Sequence, residues 1–226
     1  MMEHMTRVAI IGAHGKVAQQ LMRVLYDDGD DFIGIVRNED HADDIYRFGG
    51  EGVLLDIERS DSDAIAHAIE GADAVVFAAG AGPGSGAERK RTVDFEGSVK
   101  SQRAAQTAGI RRFVQVSAIG VDDPVETGDD TWRAYVAAKR DADAELRSSS
   151  LDWTIVRPGG LTLDDGTGLV EIADQVQRGP IPREDVARVI AEALRNPGTI
   201  HTQFEVVAGS TPVPEAIASI ASTRNG

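Results

Sequence analysis

The chain has 226 residues, no cysteine, and 37 acidic against 23 basic side chains, for a formal net charge of −14. So acidic a balance argues against a general nucleic-acid binder, because phosphate backbones need basic groups to displace their counterions. The lack of cysteine excludes disulfides, thiolate catalysis and Cys-based metal sites.

Strand-like apolar runs recur in chain order at Val8–Ile11, Phe32–Val36, Gly52–Leu55, Ala74–Ala78, Phe113–Val116, Trp153–Val156 and Phe204–Val207. Between them apolar residues fall at helical spacing, as in Val17, Leu21, Val24 and Leu25, or Ile65, Ala68 and Ile69. Most runs are apolar at consecutive positions, which suits strands covered on both faces. Strand and helix in alternation predict an α/β fold with a doubly wound parallel sheet. The length suits one domain over 1–226 with a small C-terminal extension and frayed ends at 1–5 and 222–226. The 68 residues beyond Pro158 leave no room for a separate large substrate domain. Loops at Gly80–Gly86, Val121–Asp130 and Gly159–Gly168 follow strand ends, where open α/β sheets bind ligands. No apolar run approaches membrane-spanning length, and Met1 to Arg7 lacks the apolar core of a signal peptide, so a cytoplasmic protein with no membrane partner is expected.

The first strand runs into Gly12-Ala13-His14-Gly15-Lys16-Val17-Ala18, and a helical pattern begins at once. Glycines there let the backbone turn tightly against a pyrophosphate, and the free N–H groups of the helix start favour its charge. A nucleotide P-loop does not fit, since Val17 follows Gly15-Lys16 where Ser or Thr is needed and Ile10 replaces the first glycine. His14 can touch phosphate, although a surface loop histidine is the commoner case. At the end of the second strand stands Arg37, where NAD-preferring sites place a carboxylate for the ribose 2′-hydroxyl. An arginine pairs with a 2′-phosphate and stacks on adenine, so NADP is expected over NAD. Asp56 closes the third strand as an adenine acceptor, a helix N-cap or a turn residue. Ala78-Ala79-Gly80 offers a flat backbone wall to a cofactor ribose, and the glycine-rich segment after it lies where a lid would.

Tyr135 and Lys139 sit four apart in a helical pattern and so share a face, a pairing expected by chance only about 0.05 times in this composition. Ser117 ends the strand Phe113–Val116. In this arrangement the lysine lowers the tyrosine pKa, the tyrosine passes a proton, and the serine orients or polarises a substrate oxygen.

Together Gly12-x-x-Gly15-x-x-Ala18, Arg37, Asp56, Ser117, Tyr135-x-x-x-Lys139 and Arg157-Pro158-Gly159-Gly160 resemble the short-chain dehydrogenase/reductase superfamily. The chain is most similar to the atypical branch of epimerase/dehydratase-like proteins, which includes relatives of the flavin/biliverdin reductases and of NmrA-type sensors. The resemblance implies a Rossmann fold. It also implies cofactor contacts from Gly12 to Val17, at Arg37, Asp56, Ile57, Ala78 to Gly80, Ser117, Tyr135, Lys139, Pro158 and Gly159. Asp94 stands where extended members carry an active-site asparagine, which puts the usual proton relay in doubt and leaves Asp94 to bond Lys139 or backbone. Ile181 to Ala187 is similar to a structural helix start of that branch. Two functions follow: an NADP-dependent oxidoreductase or epimerase-like enzyme on a small carbonyl or alcohol, or an NADP(H)-sensing protein without chemistry. The expected partner is a small molecule, on a monomer or homodimer. The five histidines show no metal-ligand spacing, so no metal site is expected, and the carboxylates of Val121–Asp130 read as a solvated loop.

Overall fold

Successive residues of the first strand, β1 (Arg7–Ile11), point to opposite sides, and both sides are apolar. Val8 and Ile10 join one buried cluster. Ala9 and Ile11 join a second. A strand buried on both faces needs a helical layer on each, and the chain supplies them. The computed structural model describes residues 6–82, 84–125 and 128–223, with side chains described through 220. The expected frayed ends fall outside these residues except for the backbone of 222 and 223, as do Pro83, Glu126 and Thr127 in two of the expected loops.

In chain order the elements run β1, α1 (Lys16–Asp27), β2 (Asp31–Val36), α2 (Glu39–Arg47), β3 (Glu51–Leu54), α3 (Ser62–Ala68) and β4 (Ala74–Phe77). Then come α4 (Ala87–Arg89), a π-helical stretch at Lys90–Gly97, α5 (Ser98–Thr107), β5 (Arg112–Val116), α6 (Asp130–Ser148) and β6 (Asp152–Pro158). The last third holds β7 (Gly160–Thr162), β8 (Leu169–Ala173), β9 (Pro180–Pro182), α7 (Arg183–Arg195), β10 (Thr202–Ala208), β11 (Thr211–Pro212) and α8 (Val213–Thr223).

Among the described residues nine strands form one sheet in the order β11-β8-β10-β6-β5-β4-β1-β2-β3. The seven strands read from apolar runs are its parallel body. The order reverses between β1 and β4, the switch point at which open α/β sheets leave a crevice. The expected Rossmann-like fold is borne out, and the sheet is mostly parallel. The departure lies at one edge, where β8 runs antiparallel to β10 and to β11. In the segment read as the loop Gly159–Gly168, β7 pairs with β9 in a small separate sheet. These strands are two to five residues long, too short for a period to emerge from the sequence.

The segment from Ile181 to Ala187 does start a helix, and the start anchors the edge. Asp185 is fully buried. Its Oδ2 accepts the Thr167 N–H at 2.9 Å and its Oδ1 accepts the Gly168 N–H at 2.7 Å. Arg188 reaches the same Oδ1 at 3.2 Å. Asp185→Ala removes the buried carboxylate that holds both backbone donors and Arg188. A loss of about 2–4 kcal/mol is expected, read as a lower urea midpoint with an unchanged slope.

Candidate functional site

The chain leaves β1 through Gly12, at φ +83. A Cβ there would stand 2.6 Å from the Ala79 Cα, so only glycine lets the turn after β1 cross the end of β4 so closely. The N–H groups of Gly12 and Ala13 both donate to the Ile35 carbonyl at 3.2 Å, which ties the turn to β2. Gly15 is the N-cap of α1 and no side chain caps that helix. Its first turn contains no acidic residue. A helix start of twelve residues with uncapped N–H groups, no opposing carboxylate and a glycine-lined approach fits the pyrophosphate of a dinucleotide.

A cleft of about 240 Å³ opens above this turn. From the expected set it is lined by Gly12, His14 and Gly15, by Arg37, by Asp56 and Ile57, and by Ala78, Ala79 and Gly80. Glu58, Arg89, His41 and Val93, which no motif singled out, complete it together with Ile35, Val36 and Leu55. Asp56 is a turn residue: its Oδ1 accepts the Glu58 N–H at 3.0 Å, while Asp61 caps α3. Lys100 donates to the carbonyls of Ile57, Glu58 and Ser60 and so fixes this turn from behind. Arg89 grips Glu58, with Nη2–Oε2 at 2.5 Å, and Thr92 Oγ1 donates to the same carboxylate at 2.7 Å. The hydrogen bond from Arg89 holds the Glu58 pKa below its usual range, against the opposing effect of burial. Arg37 stands 3.9 Å from Glu58, beyond hydrogen-bond reach, and is largely exposed. It is therefore available to a ligand.

His14 and His41 stack, with ring centroids 3.4 Å apart and planes 3° from parallel. Asp44 approaches the His14 Nε2 at 3.3 Å. Burial, and then the neighbouring His14, lower the His41 pKa against the pull of Asp44 and Asp40.

Beside the cleft lies the second group. Lys139 Nζ is buried 3.4 Å from the Asp94 Oδ1 and donates to the Val116 carbonyl at 3.1 Å. Asp94 Oδ2 accepts the Ala81 N–H at 3.1 Å, which joins this pair to the Gly80 wall of the cleft. Asp94 sits within the π-helical stretch, a distortion often found at functional sites. The Lys139 pKa is raised: burial opposes the charge, and Asp94, Tyr135 and Asp143 outweigh it. Tyr135 is half-buried, and burial pushes its hydroxyl up. Lys139 pulls the other way, while Asp94 and Asp143 add to the rise. The free protein thus holds Tyr135 on the opposite side of its ordinary value from the expected lowering.

Ser117 is buried and donates its hydroxyl hydrogen to Asp143 Oδ2 at 2.7 Å. Asp143 also accepts from Gln115 at 2.6 Å and from Arg157 Nε and Nη2 at 3.0 and 2.8 Å. Burial raises the Asp143 pKa, and Arg157 leads the groups that oppose it. With its hydrogen given to Asp143, Ser117 presents lone pairs, which suit a substrate hydroxyl better than a carbonyl. Arg157 also reaches Asp122 at 2.6 Å, linking this core network to the loop before α6.

Ser117, Tyr135 and Lys139 are absent from the cleft lining, as are Pro158 and Gly159. The last two are buried beside β10, where the Gly159 N–H donates to the Val206 carbonyl at 2.9 Å. Ala13 and Val17 are buried under the turn, and Lys16 is exposed at the helix start. The sequence does carry a signal for Asp143, which lies one further step of four along the face of Tyr135 and Lys139. Glu58 and Arg89 had none. Among the described residues no cluster of three His, Cys, Asp or Glu side chains could hold a metal, and no helix is long and apolar enough to cross a membrane.

The model of the NAD(P)H-binding family matches residues 12–197. The chain belongs to this family. Relatives within reach include the uncharacterized sugar epimerase YhfK of Bacillus subtilis, 38% identical over 93% of this chain and 98% of that protein. The UPF0659 protein YMR090W of Saccharomyces cerevisiae is 40% identical over 95% and 98%. Among solved structures, one from Bacillus halodurans assigned as an NAD-dependent epimerase/dehydratase superposes with a TM-score of 0.88 at 40% identity, covering 95% of this chain and 99% of that one. The oxidoreductase ylbE of Lactococcus lactis follows at 0.86 and 28%, covering 96% and 97%. The expected resemblance to NAD(P)-binding, epimerase/dehydratase-like proteins is borne out. This NAD(P)H-binding chain thus has oxidoreductase-like and epimerase-like kin, and other relatives are chloroplastic proteins of Arabidopsis thaliana.

The Tyr135 geometry has a direct readout. The tyrosinate absorbance step lost in Tyr135→Phe should have its midpoint above the ordinary value of about 10, and Asp94→Asn should move that step to lower pH by removing a raising charge.

Proposed function

We propose that the protein is an NADP-dependent oxidoreductase or epimerase-like enzyme acting on a small carbonyl or alcohol. The observation that carries the reading is the junction at Gly80 and Ala81. The wall of the dinucleotide cleft there is hydrogen-bonded to Asp94, and Asp94 holds the buried Lys139 ammonium. A bound nicotinamide dinucleotide supplies or accepts the hydride. Gly12, Gly15 and the uncapped start of α1 hold the pyrophosphate, and Arg37 takes the 2′-phosphate. Tyr135 exchanges a proton with the substrate oxygen, and Ser117, fixed by Asp143, holds that oxygen. Lys139 stabilises the tyrosinate, a task that Asp94 makes harder at neutral pH. Retention of all three side chains supports chemistry. We take the protein to be cytoplasmic and monomeric or homodimeric.

The Lys139–Asp94 pair favours one other reading, a non-catalytic sensor of NADP(H), because it spends the charge that would otherwise activate Tyr135. Mixing bound NADPH with aldehydes, ketones, quinones and flavins separates the two. Loss of reduced-cofactor absorbance supports the enzyme, and a large affinity difference between NADP⁺ and NADPH with no turnover supports the sensor.

Thermal unfolding tests the cofactor. NADP⁺ or NADPH at about a hundred times its dissociation constant adds about 2.7 kcal/mol and should raise the midpoint by about 5–10 °C. NAD⁺ and NADH at equal concentration should raise it less. Arg37→Ala should weaken NADP binding about 10- to 100-fold and leave NAD binding nearly unchanged. For any substrate found, Tyr135→Phe should abolish turnover while cofactor affinity stays close to the parent value. Turnover retained in that variant would remove Tyr135 from its role.

A further inference from the structure

His14 comes from the turn after β1, His41 from α2, and Arg37 from the end of β2, and all three line the cleft. Two imidazoles stacked in parallel at 3.4 Å tolerate one proton between them but resist two, because adjacent like charges repel. The groups facing the pair are Asp44 and Asp40 of α2 and Arg37 of β2. The cleft is also lined by Asp56 and Glu58 of the β3–α3 turn and Arg89 of α4, with Glu58 paired to Arg89 and 3.9 Å from Arg37. Lys16, next to the turn, is exposed. The carboxylate of Asp44 therefore supports a proton on the stack from one side. The cleft side offers it Arg37, a cation whose partner there would be a dianion.

We infer that the stacked pair His14–His41 is a proton-linked acceptor for the 2′-phosphate of NADP, so that discrimination between NADP and NAD tightens as the pH falls. The inference rests on the dinucleotide reading of the cleft and concerns how that cleft chooses its ligand. A phosphate dianion placed between Arg37 and the imidazoles favours their charged forms and relieves the repulsion within the stack. The sign follows from linkage. A group whose pKa is higher in the complex than in the free protein takes up a proton on binding, and the affinity gained is lost as pH rises through the pKa of the complex. NAD carries a hydroxyl in place of the phosphate, so its binding has no such dependence. A lone arginine would give discrimination almost flat between pH 6.5 and 8, since its own charge does not change there.

Isothermal titration of the full chain with NADP⁺ and with NAD⁺, in buffers of different ionisation enthalpy, reads both affinity and protons exchanged. NADP⁺ binding near pH 7 should take up a fraction of a proton and should tighten about three- to tenfold from about pH 8 to about pH 6.5. NAD⁺ binding should take up none and stay level. The double variant His14→Asn, His41→Asn should still bind NADP⁺ through Arg37 but lose both the proton uptake and the pH slope. Each single variant keeps one imidazole and should show a reduced slope, and an intact circular-dichroism spectrum and unfolding midpoint establish that a variant is folded. An NADP⁺-to-NAD⁺ affinity ratio that is level across this range overturns the inference and leaves the cofactor assignment standing. So does a slope that survives in the double variant. Failure of either nucleotide to bind at any pH overturns the cleft reading itself, and the inference with it.

Discussion

The ammonium of Lys139 and the carboxylate of Asp94 face each other in the protein interior, and the geometry of the site follows from keeping that pair satisfied. A buried charge is tolerated only when an opposite charge and further hydrogen bonds replace its water. Asp94 obtains its second partner from the Ala81 N–H, and Lys139 from the Val116 carbonyl. The pair therefore joins four parts of the fold: the π-helical stretch, α6, the end of β5 and the backbone wall after β4. Removing either member would leave the other charged and unpaired, which is far more costly than the pair is stabilising.

The same pair explains the chemical character of the site. An isolated lysine near Tyr135 would draw its pKa down. Burial pushes the hydroxyl up, and Asp94 and Asp143 work with it against the pull of Lys139. Asp143 acts similarly on Ser117, accepting the hydrogen that the serine would otherwise offer to a substrate. Both hydroxyls are thus conditioned by carboxylates on neighbouring positions of the fold, and Arg157 compensates one of those carboxylates while reaching out to Asp122.

The cleft follows a different rule. At the turn after β1 it is built from absences: no Cβ at Gly12 or Gly15, no side-chain cap on α1, and no acid in its first turn. The rest of its lining is crowded with charge, where Glu58 is held by Arg89 and Thr92 and so leaves Arg37 largely unclaimed. The turn thus offers backbone donors to the cleft, and the charged lining offers side chains.

The parallel body of the sheet is legible in the sequence, because strands buried on both faces are continuous apolar runs, and so is the turn Gly12–Ala18, because its glycines lie at fixed offsets between a strand and a helix. The sequence also brought Tyr135 and Lys139 to one face, since helical period sets that spacing. These are local rules acting over a few residues. The antiparallel edge of β8 and β11 came from short segments whose pairing depends on what lies beside them. The stack of His14 on His41, the clasp of Arg89 on Glu58 and the seating of Asp143 under Ser117 were likewise decided only in three dimensions. Each joins residues 26 to 31 positions apart in separate parts of the fold. Electrostatic preference at such sites depends on distance and burial, and both exist only once the chain has packed.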